Sequence, residues 1–217
     1  MPKRTSTKST KRRQLRASKQ KTRSRPVGAF RQRGNDTSQR TTIFYAQEDW
    51  HEPTDAVEPR YLQQAPGDEF LHPVTLEEVK DRVAQLPERF TRNIEVIQLS
   101  RMTKKRSLFP CYGMQWGPNV YLYPIEAGLV ETFIRPPRPD QVVEANMFGG
   151  RWVEDGDVWR LYWTASTIRD YYLNNVLIHE IGHVNDLRNT NFDARERYAN
   201  WFAIEYGYRV SRGRRRS

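Results

Sequence analysis

The sequence predicts a small α+β domain: a helix, then a small and mainly antiparallel sheet, then two helices, with basic disordered tails. Three observations carry this. Residues 75–86 place apolar side chains at helical spacing. From residue 94 to 163, short apolar and aromatic runs alternate with Gly, Pro and Asp turn signals, the pattern of strands. The run Tyr171–Ile178 then contains neither Pro nor Gly and leads into two helical segments. At 217 residues, one domain with tails is the default.

The tails come first in chain order. Residues 1–40 hold 14 Lys+Arg against a single acid, Asp36, and their large apolar residues are little more than Leu15, Val27 and Phe30. Such a segment cannot bury a core and is expected to be disordered. Five of the nine residues 209–217 are Arg, a second basic tail. Residues 41–208 hold 17 Lys+Arg and 25 Asp+Glu, so an acidic body of net −8 carries tails that bring the whole chain to +10. Tails of this kind bind polyanions, nucleic acid above all, through counterion release. The bland alternatives are a solvated linker or a targeting peptide. The Ser/Thr/Arg-rich start resembles an organelle transit segment but lacks its apolar face. There is no secretory h-region and no stretch of 18 apolar residues, so no membrane partner is expected. A cytoplasmic location is expected, with organelle or nucleoid association as the variant; the sequence does not fix an oligomeric state.

Residues 41–73, rich in Pro, Asp and Glu, read as an extended lead-in to a domain over 74–208. Thr75 caps a helix whose stripe is Leu76, Val79, Val83 and Leu86, stopped by Pro87. Strands are expected at Ile94–Leu99, Leu108–Trp116, Val120–Tyr123 and Leu129–Ile134, with Gly117-Pro118-Asn119 as a turn. Pro136-Pro137-Arg138-Pro139 breaks the pattern. Trp152-Val153 and Val158–Trp163 flank Glu154-Asp155-Gly156-Asp157 and read as a hairpin. Thr167 and Asp170 form a candidate capping box for the helix that follows.

That helix contains His179-Glu180-Ile181-Gly182-His183. Positions i and i+4 share a helix face, so His179 and His183 can aim imidazole nitrogens at one metal ion. Glu180 can reach a water on that metal and take its proton. This is the arrangement of a zinc hydrolase, with Zn2+ as cofactor. Two of the four histidines in the chain lie here, and Gly182 would let a neighbouring element come close.

A catalytic zinc usually takes three protein ligands. The downstream candidates are Asp186, Asp193, Glu196 and Glu205. Asp186 is poorly angled to complete a tetrahedron and reads as a supporting or solvent-facing carboxylate. Asn189, six residues after the second histidine, is a poor zinc ligand. Glu196 is the best choice: a short Asn/Thr loop lets a second helix fold back on the first and bring it to the metal. Ala199 is small enough for close approach, and Asn200 could hydrogen-bond a ligand histidine. The tyrosines Tyr171, Tyr172, Tyr198, Tyr206 and Tyr208 remain open as stabilisers of a developing oxyanion.

His-Glu-Ile-Gly-His, a short gap, then Glu196-x-x-Ala199-Asn200-x-Phe202-Ala203 resembles the gluzincin metallopeptidases, most closely the ImmA/IrrE-type family. The resemblance spans roughly residues 168–206. It implies a zincin-like fold, His179, His183 and Glu196 as zinc ligands, Glu180 as catalytic general base and Asn200 as partner of His179. It implies a protein or peptide substrate, and a regulatory role, since such proteins cleave DNA-binding repressors. Gluzincin domains also run a sheet edge beside the cleft that can take up an extended peptide; the hairpin around Trp159, Leu161 and Trp163 is the candidate edge. The family's leucine-rich continuation ending in Met-Pro is replaced here by Gly207-Tyr208-Arg209 and basic residues. Cys111, the only cysteine, lacks the flanking motifs that make it a ligand in peptide deformylases and reads as a small buried residue. The alternative function is a non-catalytic, basic-tailed nucleic-acid-binding protein with a structural metal site.

If residues 1–40 form a nucleic-acid arm, binding should show little sequence preference and fall steeply with salt. Deleting them should flatten the salt slope and leave zinc content intact. Equally poor binding of full-length and truncated protein at low salt would remove the arm.

Overall fold

The computed structural model describes residues 50–54, 58–104, 106 and 111–213. The expected tail 1–40, the lead-in as far as residue 49, the beginning of the strand expected from Leu108 and the last four residues of the C-terminal tail lie outside the described residues. The fold is α+β. A four-stranded sheet runs in the order β1 (Arg60–Gln63), β3 (Val96–Leu99), β5 (Asn119–Leu122), β4 (Gly113–Trp116). A three-stranded sheet has the order β7 (Val130–Phe133), β9 (Val158–Tyr162), β8 (Arg151–Asp155), and β2 (Phe70–Leu71) pairs with β6 (Ile125–Glu126). There are thus three sheets among the described residues where one was expected, and the largest is mixed. β3 pairs in parallel with both β1 and β5, and only β4 is antiparallel. The physical reason is burial. All four residues of β3 are buried, the signature of a strand covered on both faces, and its links to the flanking strands pass through other elements instead of tight turns.

β1 and β2 draw part of the expected lead-in into the sheets. Helix α1 (Leu76–Ala84) follows as expected, capped by Thr75 in a reciprocal box with Glu78; Val79, Val83 and Leu86 are buried. A short α2 (Glu88–Thr91) comes after Pro87. The β4–β5 hairpin closes over Gly117-Pro118, where Gly117 has φ +56°. Along β5, Val120 and Leu122 enter the main core with the helices. Tyr121, followed by Tyr123 just beyond the strand, joins Cys111 in a smaller cluster on the other face. Cys111 is buried as expected. Pro139 opens helix α3 (Pro139–Met147), which sequence reasoning missed: the proline sits at the first helical position, and Gln141 bonds the Arg138 backbone.

The helix of the His-Glu-Ile-Gly-His segment begins earlier than expected. Thr164, not Thr167, is the cap of α4 (Ala165–Tyr171), and Thr167 is its reciprocal partner. Asp170 instead accepts bonds from Asn174 and Arg212. The chain then passes through a π-helical turn, Tyr172–Val176, into α5 (Leu177–Asn185). After a short loop come α6 (Phe192–Ala203), a second π turn at Ile204–Tyr208, and a final α7 (Arg209–Ser211). Arg209 pairs with Glu205 and Arg212 with Asp170, so the start of the expected C-terminal tail is docked on the domain. No helix among the described residues is long and apolar enough to cross a membrane.

The two π turns pack on each other. A methyl group at Gly207 would overlap the Asn174 carbonyl. Arg82 of α1 clasps both turns, with Nε donating to Asn174 Oδ1 at 2.8 Å and Nη2 to the Tyr206 carbonyl. Burial lowers its guanidinium pKa to about 10. Arg82→Ala, which strands these acceptors, should cost roughly 2–4 kcal/mol. Gly207→Ala, which forces the turns apart, should cost at least as much. Denaturant titration of each variant checks this; a loss under 0.5 kcal/mol in both, to order of magnitude an ordinary surface effect, would remove the clasp.

Candidate metal centre

The site is built by the antiparallel approach of α5 and α6. Gly182 lies at the crossing. A methyl group there would sit 3.0 Å from Ala199 Cα and 3.0 Å from Phe202 Cβ, and Ala199 itself is fully buried. With the helices this close, Glu196 reaches the face of α5 that carries both histidines. The Nε2 atoms of His179 and His183 are 3.1 Å apart. Glu196 Oε1 lies 3.3 Å from His183 Nε2, and Oε2 lies 3.6 Å from His179 Nε2. One donor atom from each of the three residues lies within 4.8 Å of the others, close enough for all three to share one metal ion. His179, His183 and Glu196 form the one such His/Cys/Asp/Glu group among the described residues.

The electrostatics agree with the donor set. Burial, then the neighbouring His183, lowers His179 to about 4, so it presents a neutral imidazole. Burial alone would raise Glu196; the hydrogen bond to His183, the two imidazoles and Arg195 outweigh it and hold the carboxyl below its usual range. Asn200 lies near enough to the His179 ring to favour its protonated form slightly, the smallest of the influences on it. Two imidazoles and a carboxylate converging in a largely buried site suit a divalent cation well, and these residues would hold it.

Glu180 is 8% exposed. It points towards β4, accepting a hydrogen bond from the Gln115 backbone N–H, and burial raises its carboxyl to about 7. Gly113 makes room for it: a Cβ there would lie 2.8 Å from Glu180 Cγ. Asp186 is not brought to the ligand trio. Its carboxylate accepts from the Arg188 and Asn189 backbones and the Asn189 side chain, closing the turn after α5.

Arg195 was not legible as a site residue. It spans three elements, donating to the His183 and Asp186 carbonyls and to Gln115 Oε1 of β4. A cation at a helix C-terminus is favoured by the helix dipole, but its sequence neighbours reveal none of these targets. Of the tyrosines, Tyr172 donates to the Tyr123 carbonyl and Tyr171 stacks on Trp163. Tyr206 packs on Phe202 and Tyr208 on Phe148. Tyr198 is about 200° round α6 from Glu196. Within the hairpin expected as the sheet edge, the strand carrying Trp159 and Leu161 is central: β9 pairs on both sides, with Leu161 and Trp163 buried, and the hairpin's edge strand is β8. The edge next to Glu180 is β4, whose second side is unpaired among the described strands.

No protein-family model matches the chain, and comparison with curated proteins and with solved structures finds no match.

Glu196→Ala should weaken zinc binding at least tenfold, whereas Asp186→Ala should retain the ion. Elemental analysis of the purified variants checks this, and equal zinc in wild type and Glu196→Ala would exclude the third ligand.

Proposed function

We propose that this chain is a zinc-dependent metallopeptidase with a zincin-like domain of the gluzincin type, most similar to the ImmA/IrrE-type family. The observation that carries the reading is Glu180. A structural metal site needs only ligands, yet here a buried carboxylate stands beside the donor trio and faces a sheet edge whose outer side no described strand pairs with. The non-catalytic alternative leaves that residue without a task.

Zinc held by His179, His183 and Glu196 would supply Lewis acidity, activating water at neutral pH and polarising the scissile carbonyl. Glu180 is the general base. Its surroundings disfavour charge and bring its pKa to about 7, so it takes a proton from the attacking water and readily yields it to the leaving amine. Gln115 N–H and the space at Gly113 fix its position. Asn200 lies near His179, and Arg195 ties the end of α5 to β4. The substrate is a protein or peptide, added in extended form to the outer side of β4. The basic residues 1–40 would bring the enzyme to a substrate associated with nucleic acid.

Glu180→Gln keeps the size of the side chain and removes its basicity. It should retain zinc and fold, and lose about 10²–10⁴-fold in kcat on a cleaved peptide. Zinc content, circular dichroism and turnover test the three parts. Hydrolysis at near wild-type rate would take Glu180 out of the mechanism.

A further inference from the structure

Between α3, the three-stranded sheet and Tyr171 at the end of α4 opens a small cavity of about 40 Å³, partly open to solvent. Its walls are aromatic: Tyr112, Trp152, Trp163 and Tyr171. Trp163 stacks on Tyr171 with ring centroids 5.0 Å apart, and Tyr112 meets Tyr171 edge-on at 5.4 Å. The polar lining of the cavity is Glu144 together with Arg138, Asp140 and Gln141 of the α3 start. The hydrogen bonds of the Glu144 carboxylate come from neutral donors, Asn175 Nδ2 at 2.5 Å and the Tyr171 side chain. The nearest cation, Arg138 at the mouth, is 53% exposed and already paired with Asp140 at 3.2 Å. Behind the rings lies a second buried carboxylate, Glu131, which accepts from Tyr112 Oη at 2.7 Å and Trp163 Nε1 at 3.3 Å. The cavity therefore combines aromatic rings with one lining carboxylate, Glu144, and a second, Glu131, buried behind the rings. An anion is repelled here. A neutral apolar group would desolvate Glu144 without recompense. An alkyl cation satisfies both features, its stem on the rings and its head on the carboxylate.

The cavity is joined to the candidate catalytic centre at two points. Asn175, which holds Glu144, precedes His179 by four residues, about 6 Å along the helix. Tyr112 immediately precedes Gly113, the β4 residue that abuts Glu180. We infer that this cavity is a specificity pocket for a lysine or arginine side chain beside the scissile bond of a peptide lying on β4. The inference rests on the peptidase reading for the source of the cation, and on the cavity alone for its chemistry.

Two arms on the zinc-loaded full chain separate these. In the first, calorimetry measures binding of n-butylguanidinium and n-butylammonium against neutral n-butanol. The cations should bind, the alcohol should not, and Glu144→Gln should weaken the cations at least tenfold. Trp152→Leu, which leaves the Glu144–Asn175 bond in place, should do the same if the glutamine variant fails to fold. In the second arm, a peptide series varied at the residues flanking the cleaved bond should show Lys or Arg favoured over norleucine at least tenfold in kcat/KM. Glu144→Gln should bring that ratio below threefold. Cation binding no better than the alcohol, or unchanged in both folded variants, overturns the pocket. Cation binding with no peptide cleaved overturns the peptidase reading and supports a site for a free amine. Cation binding with cleavage indifferent to Lys and Arg overturns the assignment to a substrate side chain.

Discussion

Everything at the metal centre depends on how closely two helices approach. Glu196 is on a different helix from both histidines and reaches them only because Gly182 and Ala199 present almost no side chain at the crossing. A glycine inside a helix costs about 1 kcal/mol relative to alanine. That cost is offset by the packing it permits: Phe202 seats against Gly182, fully buried, and carries Phe90 and Tyr206 against it. Even alanine at position 182 would require Ala199 and Phe202 to give way by a few tenths of an ångström, on the helix that carries Glu196.

Charge follows from that approach. Bringing a carboxylate and two imidazoles into a largely buried site is unfavourable without a cation, and burying Glu180 next to them adds a further penalty. The fold meets this with polar groups that do not themselves bind metal. Asn200 lies near His179, Gln115 N–H bonds Glu180, and Arg195 lies over the end of α5. The sheet contributes as much as the helices. β4 supplies Gly113, whose missing side chain is filled by Glu180, and no described strand pairs with its outer side.

What was legible in the sequence was local. The histidines share a face because of helix periodicity, and Glu196 follows at a short spacing, so a short fragment predicts that these three residues converge. Thr75 with Glu78, the strand at Ile94–Leu99 and the hairpin around Gly156 are also encoded within a few residues. Strand neighbours are not. Nothing in Val158–Tyr162 says that β9 is central, because pairing on a second side depends on β7, some 30 residues earlier. The parallel pairings of β3 and the three-way grip of Arg195 are set by distant residues in the same way. The Pro-rich run before α3 was read as a break when one of its prolines opens a helix, since proline supports both.

The π turn at Tyr172–Val176 has a consequence for how this sequence can vary. A π turn holds one residue more than the α-helical path it replaces. Removing one residue between the Thr164 cap and Leu177 would turn it into regular α-helix and leave His179 and His183 on the side that Glu196 faces, whereas removing a second would rotate both by about 100°. The stretch is therefore expected to accept the loss of one residue but not of two, while the spacing from His179 onward accepts neither.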